Sequence, residues 1–261
     1  MLRFLILAHR GDATAMLVAS HLLTRHRRES VRIVLADEFV STAQLVHRVN
    51  GAKALTSLRL ADGFSIKNDG IGIVFNRLRY VEIPQFARAN MVDQEYAALE
   101  LFACLISWMK SLTCPVFGAP SSQSLGGPTL STLAWNVLAG KAGLPTSLVR
   151  FTSSLKYYSL KGTAKYPIGN SVNGDVPAIL SHQSGAPGIA VAVIGERVIG
   201  PVPHDLEAGC LRLAKLSGFE VLVVYFSTEE NNLMFGSVDA YPQLTDPQSI
   251  NAVVNTLEER S

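Results

Sequence analysis

The start of the chain constrains the fold most. An apolar run, "RFLILAH", is followed by "ATAMLVASHLLTRH", whose residues Met16, Leu17, Ala19, Leu22 and Leu23 form a helical stripe, and then by a second apolar run, "VRIVLA". A strand, a crossover helix and another strand place the two strands side by side and parallel, with a right-handed connection. A Rossmann-like parallel sheet is therefore expected at the N-terminus. Further along, "LTSLRLADGFSI" predicts a hairpin turning at Asp62 and Gly63, and "IGIVF" (71–75) predicts another buried strand.

The longest periodic element is "DQEYAALELFACLISWMKSL". Asp93 serves there as a cap or first-turn acid. Tyr96, Leu99, Phe102, Ile106 and Met109 recur at three- and four-residue steps, which predicts a core helix. "PVFG" reads as a strand and "TLSTLAWNVLAGKAG" as a helix ended by Gly143. From Thr152 to Asp175 the residues turn to Ser, Gly, Lys, Tyr and Asn without a period, as in a linker or long loop. Regular signals then resume. "IAVAVIGERVIGPV" predicts a hairpin at Gly195 and Glu196, "HDLEAGCLRLAKLSG" a helix, and "FEVLVVYF" and "NLMFGSV" two neighbouring strands. "DPQSINAVVNTLEER" closes as a helix with Asp246 as cap and Pro247 in its first turn.

With 261 residues, 48% of them hydrophobic, 17% charged and a net charge of +2, the composition is that of a globular protein. A chain of this size can bury about 75% of its unfolded surface. Nothing in the charge balance attracts nucleic acid in bulk. The basic run Arg25 to Glu29 follows a helical pattern, and its cations suit a helix C-terminus. Three widely spaced cysteines, Cys104, Cys114 and Cys210, give neither a zinc signature nor a disulfide framework, and fit a reducing compartment. The first apolar run is too short for a signal peptide, and no run is long enough to span a bilayer. A cytoplasmic location without membrane or nucleic-acid partners is expected.

No phosphate-binding loop, dinucleotide fingerprint, zinc signature or nucleophile elbow is present. Two strand ends carry candidate binding residues. In "HRGDATA", Arg10, Gly11 and Asp12 open the first helix; they form either an anion site at a helix N-terminus or an ordinary cap at Asp12. In "FNRLR", Asn76 and Arg77 follow a buried strand at the carboxyl edge of the sheet, where open α/β sheets bind ligands. Arg77 either forks onto a carboxylate or phosphate, or pairs with Glu95 or Glu100 of the long helix. His182 ends a strand and His204 starts a helix, and no nucleophile is tied to either by spacing.

The element order resembles the ATP-grasp superfamily, in its branch of glutathione-synthetase-like and peptide-modifying ligases. The resemblance rests on "ILAHRGDATAMLVASHLLTRH", "GIVFNRLR", "DQEYAALELFACLISWMKSLTCPVFGAPSSQSLGG", "LAGKAGLPTSLV", "PAILSHQ", "GIAVAVIGERVIGPV" and the stretch from "GFEVLVVYF" to "VDAYPQL". It implies an α/β chain in three parts: a Rossmann-like domain over 1–120, a connecting loop and helix over 121–150, and an ATP-grasp-like α+β domain over 151–261. Such ligases phosphorylate a carboxylate with ATP and let an amine displace the phosphate, using a lysine-bearing lid and magnesium held by carboxylates.

Two places depart from that pattern. The interval from Phe151 to Val176 is too short for a lid of four strands of ~5 residues with helices, so the lid is expected to be reduced or absent. The family's glutamate and asparagine metal ligands fall on Ser237 and Asp239, and the partner aspartate falls among Val224, Tyr225 and Phe226.

The expectation is therefore a non-catalytic relative with no cofactor and no metal. It would bind a small carboxylate or a peptide through Arg10, Gly11, Asp12, Asn76, Arg77, His182, Arg197 and Asp239, or serve as an accessory subunit of an active ligase. A homodimer would cover the open cleft. Two alternatives are an active ligase and a purely structural interaction scaffold. The active ligase would have a minimal lid, with Lys161 or Lys165 on ATP and Asp239 with Glu229 or Glu230 on Mg²⁺.

Overall fold

In the computed structural model the chain is described over residues 2–40, 44–51, 53–81, 83–147, 150–152, 178–180, 188–229 and 232–261. It forms two units, one of residues 1–129 and 243–261 and the other of residues 130–242. The boundaries differ from the sequence expectation because the C-terminal helix returns to the first unit instead of closing the second.

The first unit is built on a four-stranded parallel sheet of β1 (Leu2–Ala8), β2 (Val31–Leu35), β6 (Ile71–Asn76) and β7 (Val116–Phe117), in the order β2-β1-β6-β7. Strand β1 alternates across the sheet, as its period of two requires. Leu5 and Leu7 join the cluster that contains Trp108 and Met109. Phe4 and Ile6, also buried, point to the other face. Helix α1 (Ala13–Arg25) connects β1 to β2, and α2 (Ala36–Val40) follows β2. In α1 the buried residues are Thr14, Ala15, Val18, Ala19 and Leu22. Met16 and Leu23 of the expected stripe are 38% and 45% exposed, because the face centred on Val18 turns inward.

A three-stranded antiparallel sheet, β3 (Gln44–Asn50), β4 (Lys53–Arg59) and β5 (Ser65–Lys67), adjoins α3 (Met91–Ser111) in the same unit. The hairpin expected at Asp62 and Gly63 is β4–β5; Asp62 Oδ1 accepts from Phe64 N at 3.0 Å, and Gly63 adopts φ 87°. Helix α3 is capped by Asn90, whose side chain accepts from Asp93 N, so Asp93 is a first-turn acid rather than the cap. Only its C-terminal half is a core helix. Leu105, Trp108 and Met109 are buried, whereas Tyr96 and Leu99 are 65% and 59% exposed.

The second unit holds α4 (Thr132–Lys141), α5 (His204–Ser217) and an antiparallel sheet of β10 (Ala190–Ile194), β11 (Arg197–Ile199), β12 (Val221–Glu229) and β13 (Asn232–Asp239), in the order β11-β10-β12-β13. Leu222, Val224, Phe226 and Phe235 pack with Trp135 of α4 and Cys210 and Leu213 of α5. Burial pushes the Cys210 thiol up to about 11, so it behaves as an apolar core residue. Two short strands, β8 (Arg150–Thr152) and β9 (Ala178–Leu180), pair antiparallel, with Thr152 opposite Ala178. Among the described residues no helix is long and apolar enough to cross a membrane.

The closing helix α6 (Pro247–Arg260) has the expected cap: Asp246 accepts from Ser249 N, and Pro247 occupies the first turn. Its face of Ile250, Val253, Val254 and Leu257 is buried, and it packs on α1. Arg25 at the end of α1 reaches Asn251, Asn255 and Glu258, each at 2.9 to 3.0 Å, and His26 reaches Glu258 at 2.7 Å. The basic run after α1 thus serves helix docking. Burial alone would raise the Glu258 carboxyl, but the hydrogen bonds and charges of His26 and Arg25 outweigh it and hold the group below the usual range. A depressed carboxyl stabilises the fold above its unfolded value and loses that contribution as the pH falls through its folded value. Glu258→Gln should therefore cost roughly 1 kcal/mol near neutral pH. In thermal melts the gap to the parent protein should close on acidification; a gap that is constant with pH would mean that the pair contributes nothing.

Candidate functional site

Because β1 and β6 are parallel neighbours, their carboxyl ends lie side by side, and Arg77 N donates to Leu7 O at 2.7 Å. This brings together the two candidate groups that are 65 residues apart in sequence. Asp12 is the N-cap of α1, its Oδ1 accepting from Ala15 N at 2.9 Å. Arg77 Nε donates to Asp12 Oδ2 at 2.9 Å, and its Nη2 reaches Oδ1 at 3.4 Å. The two side chains are 5% and 7% exposed. Arg77 thus pairs with Asp12, not with Glu95 or Glu100, because the strand end faces the β1–α1 turn. The anion at the start of α1 is the protein's own carboxylate.

Asn76 is equally committed. Its Nδ2 donates to Gly118 O at 2.8 Å and Leu125 O at 2.7 Å, and its Oδ1 accepts from Leu78 N at 3.1 Å. Gly118 has φ 85°, and a Cβ there would stand 2.5 Å from Asn76 O, so the contact requires glycine. Gly11, at φ 85° in the β1–α1 turn, has open space where a Cβ would be; its requirement is conformational only. Arg10 lies on the surface and binds Asp37 of α2 at 2.6 Å, with 77% and 49% of the two side chains exposed. The hydrogen bond from Arg10 lowers the Asp37 carboxyl. His9 stacks on Tyr80 at 4.2 Å, and its Nε2 accepts from Arg79 N at 2.9 Å. This second bridge between the two strand ends has no signature in the sequence except its position at both ends.

In the second unit the β12–β13 hairpin pairs Val223 with Asp239, Val224 with Val238 and Tyr225 with Ser237. A bulge between Tyr225 and Phe226 leaves Gly236 as the extra residue, and a Cβ there would lie 3.1 Å from Tyr225 O. Opposed residues share a face, so Val223, Tyr225, Ser237 and Asp239 stand together on the side opposite Val224. Ser237 and Asp239 are thus brought together as the sequence suggested, with an aromatic ring and an isopropyl group beside them. Asp239 Oδ1 accepts from Tyr241 N at 2.8 Å. Mg²⁺ favours several charged oxygens in octahedral array, and a single turn-bonded carboxylate with a serine hydroxyl does not fit it. Among the described residues no group of three or more His, Cys, Asp or Glu is placed to hold a metal.

The register also bears on the metal ligands expected for the ligase alternative. Glu229 opposes Asn232 at the far end of the hairpin. Six residues of β12 separate it from the Asp239 pair, about 20 Å at ~3.3 Å per residue, so the two cannot share an ion. Arg197 lies on β11, opposite Ile194. His182, Lys161, Lys165 and Glu230 lie outside the described residues. Arg10, Gly11, Asp12, Asn76 and Arg77 belong to the first unit, and Arg197 and Asp239 to the second.

No protein-family model and no curated protein matches the chain. Its fold is nevertheless that of the ATP-grasp ligases. A RiPP-associated ATP-grasp ligase from Chryseobacterium gregarium, in complex with ADP and a leader and core peptide, matches with a TM-score of 0.74 over 100% of this chain and 98% of that one, at 14% identity. The macrocyclase MdnC from Microcystis aeruginosa, bound with precursor peptide MdnA, matches with a TM-score of 0.77 over 99% and 100%, at 12% identity. The macrocyclase MdnB from the same organism gives 0.75 over 98% and 99%, at 16% identity.

Removing one partner of the Asp12–Arg77 pair leaves a buried charge uncompensated. Arg77→Ala should cost about 3–5 kcal/mol, whereas Arg10→Ala, which removes an exposed and solvent-screened pair, should leave stability nearly unchanged. Chemical denaturation of both variants checks this. Equal, small losses would show that Arg77 is dispensable to the fold.

Proposed function

We propose that the chain keeps the ATP-grasp fold without its ATP chemistry, and that it binds a peptide or a small carboxylate, alone or as an accessory subunit of an active ligase. One observation carries this reading: on the β12–β13 face where such ligases hold magnesium, Ser237 stands opposite Tyr225 and Asp239 opposite Val223. Among these four residues Asp239 is the single carboxylate, too few charged oxygens to hold the magnesium that would offset the phosphate charge the reaction develops. The length of the insertion supports the same reading. Between the paired ends Thr152 and Ala178 the sequence has room for 25 residues (153–177), too few for a four-stranded lid of ~5-residue strands with helices. Peptide as a ligand class is supported by the fold neighbours, which include ligases solved with leader, core or precursor peptides.

Calorimetric titration with ATP and Mg²⁺, repeated with the metal chelated, tests the proposal. No magnesium-dependent heat is expected at millimolar nucleotide. Magnesium-dependent binding at micromolar strength, weakened by Asp239→Asn, would overturn it in favour of an active ligase.

A further inference from the structure

Helix α3 projects an apolar seam into solvent. Val92, Tyr96, Leu99, Ala103 and Ile106 follow one another at alternating steps of four and three residues, the spacing of a coiled-coil seam. The first four are exposed, Val92 by 74%, and Ile106 is half-buried. The seam spans 15 residues from Val92 to Ile106, about 22 Å at 1.5 Å per residue. Two depressions adjoin it. One, of 640 Å³, is walled by Phe39, Leu45 and Phe86 and closed against α3 by Tyr96 and Leu101. The other, of 520 Å³, lies along Phe102, Ala103 and Ile106. An apolar seam with adjoining hollows can interlock with the side chains of a second helix.

The residues bordering the seam decide what that helix carries. With Tyr96 and Ala103 in the a position and Val92, Leu99 and Ile106 in d, the flanking e and g positions within the seam are Asp93, Glu95, Glu100 and Phe102, so every charged one is acidic. A second copy of α3 would bring like charges together; in an antiparallel pair centred on Leu99, Glu100 would face its own copy. We propose that the α3 seam is a docking site for an amphipathic helical segment of a partner protein or peptide, with its own apolar seam flanked by lysine or arginine. The proposal concerns the first unit and is independent of the reading of the β12–β13 face.

The probe is a fluorescein-labelled 21-residue helical peptide with leucines at alternating four- and three-residue steps and lysines flanking them, compared with one carrying glutamates in place of the lysines. Anisotropy with the full chain should show saturable binding of the lysine peptide that weakens with salt, and at least about tenfold weaker binding of the glutamate peptide, since three charge pairs change sign. Leu99→Asp should abolish binding, and Glu100→Lys should reverse the preference. Both sites are exposed, and unchanged circular dichroism and melting would confirm the variants folded. Equal binding of both peptides, or of neither, would overturn the proposal. So would sedimentation of the chain alone as a dimer that Leu99→Asp dissociates, because the seam would then be covered by a second copy.

Discussion

The first unit depends on one buried ion pair. Asp12 and Arg77 stand at the ends of β1 and β6, adjacent in the sheet and far apart in sequence, and both are almost wholly withdrawn from water. Desolvating two charges is costly, and such a pair persists where hydrogen bonds fill the remaining positions. Here the carboxylate also caps α1 through Ala15 N, so one side chain fixes the helix start, the β1–α1 turn and the end of β6. Asn76 extends the arrangement by tying β6 to the loop beyond β7 through Gly118 and Leu125. The carboxyl edge of the sheet, where open α/β folds place ligands, is thus cross-linked by the very residues that would otherwise have been free to bind them.

Local chemistry made much of the fold legible. The alternation of "RFLILAH" with a helical stripe yields β1, α1 and β2, and the caps at Asp12, Asp246 and Gly218 fall where side-chain and glycine preferences put them. The β4–β5 and β10–β11 turns follow equally from Asp62–Gly63 and Gly195. Less legible was whatever depends on partners distant in sequence. Arg77 has acids within reach of any helix that could have packed beside it, and only the adjacency of β1 and β6 selects Asp12. The return of α6 to the first unit is a tertiary fact: its apolar face would suit any partner, and the match with α1 is made by Arg25 and His26.

The periodicity of α3 misleads for a related reason. A three-four repeat states that one face is apolar, not what covers it. In the C-terminal half Trp108 and Met109 are covered by the core of the first unit. A slightly rotated stripe, through Tyr96 and Leu99, remains in solvent. Tyrosine and leucine in solvent, with acids on either flank, are what the helix pairing proposed for α3 requires.

The two faces of the β12–β13 hairpin are separable in what they contribute to the fold. Its core-facing residues, Leu222, Val224, Phe226 and Phe235, are buried against α4 and α5 and carry the packing of the second unit. The face bearing Ser237 and Asp239 contributes little to that packing: Tyr225 is 42% exposed, and Asp239 is engaged in a local turn with Tyr241. Because strands alternate, side chains on one face can be exchanged without disturbing the other. Side-chain exchanges on that face would therefore leave the architecture standing, so an end-to-end match in fold does not by itself fix the chemistry that the face performs.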